Sequence, residues 1–116
     1  MYEESELPNQ QLATCNRVGA TFVPCDLDLK VGVSRNLQSG VMPINAMRTN
    51  PDSATSGWYI WAGEYSSSPE FFVPLHGHHL KEWAPKVLPY LGLPPGWRFL
   101  LADDYEDVWA DPEIQA

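Results

Sequence analysis

A run of acidic residues near the carboxyl end is the feature of this sequence best suited to electrostatic recognition. Between positions 103 and 113 the chain has no Lys or Arg, and its carboxylates are Asp103, Asp104, Glu106, Asp107, Asp111 and Glu113. Such a patch would speed association with a cationic partner and disfavour acidic ones. The alternatives are a solvated terminus that aids solubility and a Mg²⁺ or Ca²⁺ site, although the run lacks the ligand spacing and central Gly of an EF-hand loop.

Tryptophans supply a second candidate for recognition. All five lie between positions 58 and 109, and Trp is enriched at the anchor points of protein interfaces. Side chains alternate along a strand, so in the segment W-Y-I-W we expect Trp58 and Ile60 to face one side and Tyr59 and Trp61 the other. One of these faces would meet helices, and the other needs a second layer or a partner to cover it.

Signals for catalysis are weak. The motif H-G-H-H places His76 and His79 three residues apart, which on a helix would supply two metal ligands. Ordinary surface histidines explain the same motif. The sequence has no G-x-S-x-G elbow, P-loop or G-x-G-x-x-G motif. We therefore expect no catalytic residue, no bound metal and no cofactor, with a small metal-dependent hydrolase as an alternative.

Charge and length narrow the classes of function. The 116 residues carry 7 basic and 15 acidic side chains, for a formal net charge of −8, whereas nucleic acids and anionic membranes attract basic surfaces. We expect neither as a partner. One domain fits this length, and a hydrophobic content of 44% is typical of a globular chain.

The compartment is inferred from the cysteines and from the absence of targeting signals. Cys15 and Cys25 lie ten residues apart without metal-ligand spacing. The start shows no basic-then-apolar signal peptide, and no apolar run is long enough to cross a bilayer. We expect a cytoplasmic location and free thiols, although the sequence alone leaves a disulfide open.

Strand and helix signals indicate how these residues are positioned. Strands are predicted at 30–34, 41–48, 58–62, 97–102 and 105–109, with a further short one possible at 21–23. The 41–48 and 58–62 strands are expected to pair antiparallel across a polar loop. The sequence Ser68-Pro69-Glu70 is typical of a helix start, and helical spacing continues to Leu91 with breaks near Pro74 and Pro85.

The order of these elements predicts an α+β fold. We expect a single domain with an antiparallel or mixed sheet and short, Pro-broken helices on one face. The domain would span 12–113, between a mobile acidic tail at 1–11 and a fraying tail at 114–116.

Several segments together resemble a known family. They are G-W-Y-I-W-A-G-E at 57–64, P-L-H at 74–76 with H-L at 79–80, P-G-W-R-F-L at 95–100, and Y-E-D-V-W at 105–109. The set is similar to a family of small bacterial immunity proteins associated with polymorphic toxin systems, formerly catalogued as a domain of unknown function. The resemblance covers about residues 31–113. It implies an α+β fold and neutralisation of a cognate toxin by tight non-covalent binding.

We therefore predict an immunity protein whose partner is a toxin with a basic binding surface. The predicted partner-binding residues are Asp103, Asp104, Tyr105, Glu106, Asp107, Trp109, Trp61 and Glu64. In a strand over 105–109, Tyr105, Asp107 and Trp109 share one face and Glu106 lies on the other, so one partner can reach all of them only across a bulge or loop. A regulatory or scaffold domain that binds another protein through the same surface is the alternative.

Overall fold

One six-stranded mixed sheet forms the body of the protein. The structure, a computed structural model, describes residues 6–114. The strands are β1 (Lys30–Ser34), β2 (Ile44–Arg48), β3 (Thr55–Ala62), β4 (Phe72–His76), β5 (Trp97–Ala102) and β6 (Tyr105–Ala110). They lie in the order β4-β1-β3-β2-β5-β6. Strands β1 and β3 run parallel, and the remaining neighbours are antiparallel. The predicted α+β fold is confirmed.

Short helices cover one face of this sheet. They are α1 (Leu7–Val18), α2 (Leu80–Trp83) and a 3₁₀ helix at Pro85–Tyr90, with shorter 3₁₀ turns at Leu37–Ser39 and Gly77–His79. Apolar side chains that alternate along the strands meet those of the helices, so Val33, Ile60 and Phe99 are almost wholly buried in the same core as Leu80 and Val87. Burial of this apolar area is the main stabilising contribution.

A buried arginine holds the helical layer against the sheet. Arg48, the last residue of β2, is 1% exposed, and its guanidinium carbon lies 5.7 Å from the centroid of the Trp58 ring. It donates hydrogen bonds to main-chain carbonyls of Ser56, Val23, Pro24, Leu91 and Leu93. Burial lowers the pKa of Arg48. Because five carbonyls solvate this charge, the segments around positions 24 and 92 are fixed to the sheet.

The prediction that a helix begins at Ser68 is wrong. The Phe71 N–H donates to the Ser68 carbonyl in a turn, and Phe72–His76 then pairs with β1. The strand is favoured over the helix because Val73 and Leu75, which are two residues apart, both pack against the core when the segment is extended. The expected break near Pro85 does occur, since Pro85 begins the 3₁₀ helix, whereas Pro74 lies within strand β4 and breaks no helix.

The amino-terminal region also differs from its prediction. Helix α1 includes residues 7–11, which were assigned to the mobile tail, because Leu7 joins the core and the Gln11 amide donates to the Leu88 carbonyl at 3.0 Å. The possible strand at 21–23 is absent from the described range, where the Val23 N–H bonds instead to the Gly92 carbonyl. Residues 1–5 and 115–116 of the predicted tails lie outside the described residues.

Candidate protein-binding face

The sheet face opposite the helices carries a set of aromatic and polar side chains, and we call it the open face. Register places its members side by side, because directly paired residues share a face. Met47 lies between Tyr59 and Arg98, and Arg98 is opposite Trp109. The open face is formed by Phe72, Tyr59, Trp61, Asn45, Met47, Arg98, Leu100, Tyr105, Asp107 and Trp109.

An aromatic cluster occupies the β3–β4 half of the open face. Its rings are Tyr59, Trp61, Tyr65, Phe71 and Phe72, with centroids of neighbouring rings 4.9 to 5.9 Å apart and their planes steeply inclined to one another. Edge-to-face packing of this kind is favourable and rigid. Trp61 is 4% exposed beneath the others, whereas Tyr65 is 57% exposed at the surface. The cluster therefore presents a pre-formed aromatic surface.

A glycine shapes the space beside this cluster. Gly32 of β1 is paired with Tyr59 of β3. A Cβ atom at position 32 would lie 2.8 Å from Tyr59 Cδ1. The missing side chain lets the edge of the Tyr59 ring approach the backbone of β1. A groove of about 270 Å³, lined by Gly32, Tyr59, Phe72 and Pro74 among others, opens beside it.

Arg98 connects the aromatic cluster to the β6 half of the open face. Its guanidinium carbon lies 5.8 Å from the Trp61 ring centroid and 5.7 Å from the Trp109 ring centroid. Its Nη1 atom donates to Asp111 Oδ2 at 3.1 Å. The Glu113 amide and the Arg98 guanidinium both hold the pKa of Asp111 below its usual value. The two tryptophans are thus held by one cation.

Most of the predicted partner-binding residues meet on or beside the open face. Tyr105, Asp107 and Trp109 share it, and Tyr105 is 58% exposed. Asp103 and Asp104 form the exposed turn between β5 and β6. Trp61 and the exposed Glu64 belong to the other half, Trp61 beneath the aromatic cluster and Glu64 two residues beyond the end of β3.

Glu106 is the member of the predicted set that points elsewhere. It lies on the helix-covered side, where Oε1 and Oε2 accept hydrogen bonds from Arg17 Nη1 and Nη2 at 2.6 and 3.0 Å. Its Oε2 atom also accepts a bond from the Tyr90 hydroxyl. Strand alternation puts it there, because no bulge interrupts β6. Glu106 is therefore engaged within the chain, and its contact with a partner stays a prediction.

The Glu106 contacts perturb all three groups. The Arg17 hydrogen bonds are the largest cause of the lowered pKa of Glu106, and the same bonds raise the pKa of Arg17. Burial, together with the bond to Glu106, raises the pKa of Tyr90 to about 12. These shifts favour a charged pair with a neutral phenol, an arrangement that joins α1, the 3₁₀ helix and β6.

Sequence reasoning missed the central role of Arg98 and of the residues that flank Trp61. The signal was present, since Arg98 is the single charged residue of the apolar segment W-R-F-L-L-A. A charged residue in such a strand indicates that its side chain is paired with another group or lies on a face of the sheet outside the core. Phe71 and Phe72 fall in the segment predicted to be helical, which hid their relation to Trp61.

The three histidines cluster at the end of β4, and the two cysteines belong to the core or pack against it. His78 Nε2 and Asp28 Oδ1 are 2.7 Å apart, and the His76 and His78 rings stack with centroids 5.4 Å apart. Between residues 6 and 114, no three His, Cys, Asp or Glu side chains are grouped so that they could hold a metal ion. Cys15 and Cys25 are free thiols, and burial raises the pKa of each.

The comparisons with known proteins give one match. The family model of the Imm33-like domain matches residues 10–111, which extends the resemblance seen from residue 31 onwards to include most of α1. No curated protein and no solved structure matches the chain. None of the helices within residues 6–114 has the length and apolar character needed to span a bilayer.

Proposed function

Because the chain belongs to the Imm33-like domain family, we propose that it is an immunity protein. It neutralises a cognate bacterial toxin by non-covalent binding, and the open face is the surface that meets the toxin. The observation that carries this assignment is the pair of tryptophans, Trp61 and Trp109, stacked on Arg98 on a sheet face that the helices leave uncovered. Trp, Tyr and Arg are the residues that most often dominate binding energy.

The charge around this face supports a basic partner. Asp107 lies between Tyr105 and Trp109 on β6, and the exposed Asp103 and Asp104 extend the negative charge at the end of the hairpin. Toxins that act on nucleic acids need basic surfaces. An acidic protein bound there would block access of the phosphate backbone, and long-range attraction would speed the encounter. Neither a nucleic acid nor an acidic membrane suits a chain of net charge −8.

The proposed mode of action requires no bond making or breaking by this chain. Shape, aromatic contact and charge are sufficient to occlude a toxin. The proposed site of action is the bacterial cytoplasm, where reduced thiols such as those of Cys15 and Cys25 persist.

The direct test is to search the genes flanking this one for a toxin domain and to co-express the chain with the candidate found there. The chain should restore growth, and the purified pair should form a stoichiometric complex by calorimetry. Trp109→Ala should weaken binding at least about tenfold, because truncating an aromatic anchor removes about 2 kcal/mol. Leu12→Ala is the matched control, since Leu12 is an apolar side chain of α1 that is 42% exposed and lies on the helical layer.

Each outcome bears on the proposal. Binding with loss of affinity in Trp109→Ala alone supports both the function and the face. An equal loss of affinity in both variants would indicate that the toxin binds a surface other than the open face. No complex and no restored growth would leave the regulatory or scaffold alternative as the better account of the same face.

A further inference from the structure

The two edge strands of the sheet differ in their ability to accept another strand. An edge strand directs alternate N–H and C=O groups outward, where a partner strand can pair with them. Strand β4 forms one edge and β6 the other. In an antiparallel pair, the main-chain groups of every second residue bond to the neighbouring strand, and those of the residues between them point outward. One observed hydrogen bond in each pair therefore identifies all the outward residues.

The β4 edge is blocked at its centre. The Gly77 N–H donates to the Leu29 carbonyl at 2.9 Å. Leu75 and Val73, two and four residues earlier, therefore also direct their main-chain N–H and C=O groups toward β1. The outward positions are therefore Phe72, Pro74 and His76. Pro74 has no N–H to offer, so an incoming strand would lack its middle donor.

Within residues 6–114, no main-chain hydrogen bond engages the outward side of β6. The Asp111 N–H donates to the Gly96 carbonyl at 2.7 Å, and the register of β5 and β6 continues without a shift. The outward positions are therefore Glu106, Val108 and Ala110, each of which has an N–H. Strand β6 contains no Pro, Lys or bulge, which are the usual protections of an edge.

Charge determines what can pair with this edge. If two copies of β6 paired antiparallel about Asp107, the two Asp107 side chains would lie opposite each other, and Asp103 would lie opposite Asp111 of the second copy. Like charges directly across a ladder are destabilising. A strand of different sequence, with Lys or Arg facing Asp107, would instead gain a favourable cross-strand pair.

The geometry points to strand addition at β6. A strand of the toxin pairs with the outward groups of Glu106, Val108 and Ala110 and extends the sheet. Its basic side chains lie on the open-face side beside Asp107, between Tyr105 and Trp109. This inference rests on the proposed function and adds the mode of binding, in which main-chain hydrogen bonds supply affinity and the acidic and aromatic residues supply selectivity.

The test is amide hydrogen exchange of the intact chain, free and bound to the toxin domain identified by the co-expression test. In the free chain the amides of Glu106, Val108 and Ala110 should exchange rapidly, and in the complex all three should be protected at least about tenfold, as expected for newly formed ladder bonds. The outward amide of His76 on β4 should exchange equally in both samples.

Proline variants test the same contact by affinity. Val108→Pro removes the central outward donor of β6 and should raise the Kd at least about tenfold, and Ala110→Pro, at an exposed position, provides a second case if Val108→Pro fails to fold. His76→Pro is the matched control on the opposite edge, because His76 already has a φ of −62° and an extended backbone. Its Kd should equal that of the unmodified chain.

The outcomes separate the binding mode from the function. A complex that forms without protection of the three β6 amides, or whose Kd is unchanged by both β6 prolines, would overturn strand addition and leave the proposed function standing. Protection that appears at high protein concentration without toxin would show a second copy of this chain as the occupant and would overturn the assignment of a basic partner. Failure to bind the toxin at all would overturn both proposals.

Discussion

Arg17 in α1 and Glu106 in β6 form a two-bond ion pair, with N–O distances of 2.6 and 3.0 Å. The pair joins the first described helix to the last strand across 89 residues of chain. It lies on the side of β6 that faces the helices, while Asp107, the next residue, faces the open side. Adjacent carboxylates of one strand are thus divided between holding the fold together and the proposed binding surface.

Glu106→Gln should lower stability at neutral pH and have little effect in acid. The pKa of Glu106 is lowered in the folded state, so its contribution is present above the ordinary pKa of a glutamate, 4.5, and is lost as the pH falls through the folded value. Because the pair is partly exposed, the expected loss at pH 7 is about 0.5 to 1 kcal/mol. Urea unfolding at pH 7 and pH 3 measures it, and an equal loss at both values would contradict the ion pair as its source.

Arg48→Ala should destabilise the protein by about 3 kcal/mol or more, because it leaves buried carbonyls without donors. Arg48→Lys should recover only part of this loss, since an ammonium group cannot reproduce the planar set of donors. Arg35→Ala, at an exposed position, is the control and should lie within about 0.5 kcal/mol of the unmodified chain. Chemical denaturation measures all three, and a small effect of Arg48→Ala would show that water replaces the guanidinium.

Reversal of the hairpin charges, Asp103→Lys with Asp104→Lys, should slow association with the toxin and weaken its salt dependence. The expected decrease in on-rate is about tenfold at low ionic strength and smaller near 0.15 M salt. The double variant Glu6→Lys with Glu82→Lys changes net charge equally at exposed positions of the helical layer. Stopped-flow kinetics compares them. Equal slowing in both would indicate that total charge, rather than the hairpin, guides the encounter.

Gly32→Ala should disturb the open face more than the core. The added Cβ would lie 2.8 Å from Tyr59 Cδ1, so the Tyr59 ring must move away from the strand. We expect a loss of about 1 to 2 kcal/mol in stability, as for other overpacked sites, and weaker toxin binding as well. Gly19→Ala has no neighbour within 4 Å of the added Cβ, although its φ of 75° brings backbone strain. It should therefore lower stability without changing the Kd.

Local sequence patterns predicted much of the sheet. Alternating side chains predict the strands at 30–34 and 105–109, and a nearly continuous apolar run predicts the strand at 97–102. The antiparallel pairing of β2 with β3 followed from their proximity along the chain. The parallel pairing of β1 with β3 was not predicted, because it depends on contacts between distant segments that no local pattern contains.

Residues 66–76 show how tertiary contacts overrule a local signal. Ser68, Pro69 and Glu70 have the chemistry of a helix start, yet the apolar residues that follow fit strand alternation and pair with β1. Helix α1 was missed for the opposite reason, because its sequence L-P-N-Q-Q-L-A is polar and forms a helix chiefly by packing Leu7, Gln11 and Cys15 against the 3₁₀ helix region.

Within the candidate site, alternation along β6 predicted correctly that Glu106 and Asp107 face opposite sides. It could not predict that Arg17 and Tyr90 engage Glu106, since those residues are far away in sequence. Arg98 was overlooked because a charge within an apolar strand gains meaning only when both of its aromatic neighbours, Trp61 and Trp109, are placed beside it.

The strand order has a consequence for the protein as it leaves the ribosome. Strand β2 pairs with β3 on one side and β5 on the other, so its second side stays unpaired until residues 97–102 have been synthesised. A nascent chain therefore exposes an unpaired strand edge from the synthesis of β2 until β5 has been made. Completion of the sheet must therefore follow synthesis of the final hairpin, so under the proposed function newly made copies could bind a toxin only after their translation is nearly finished.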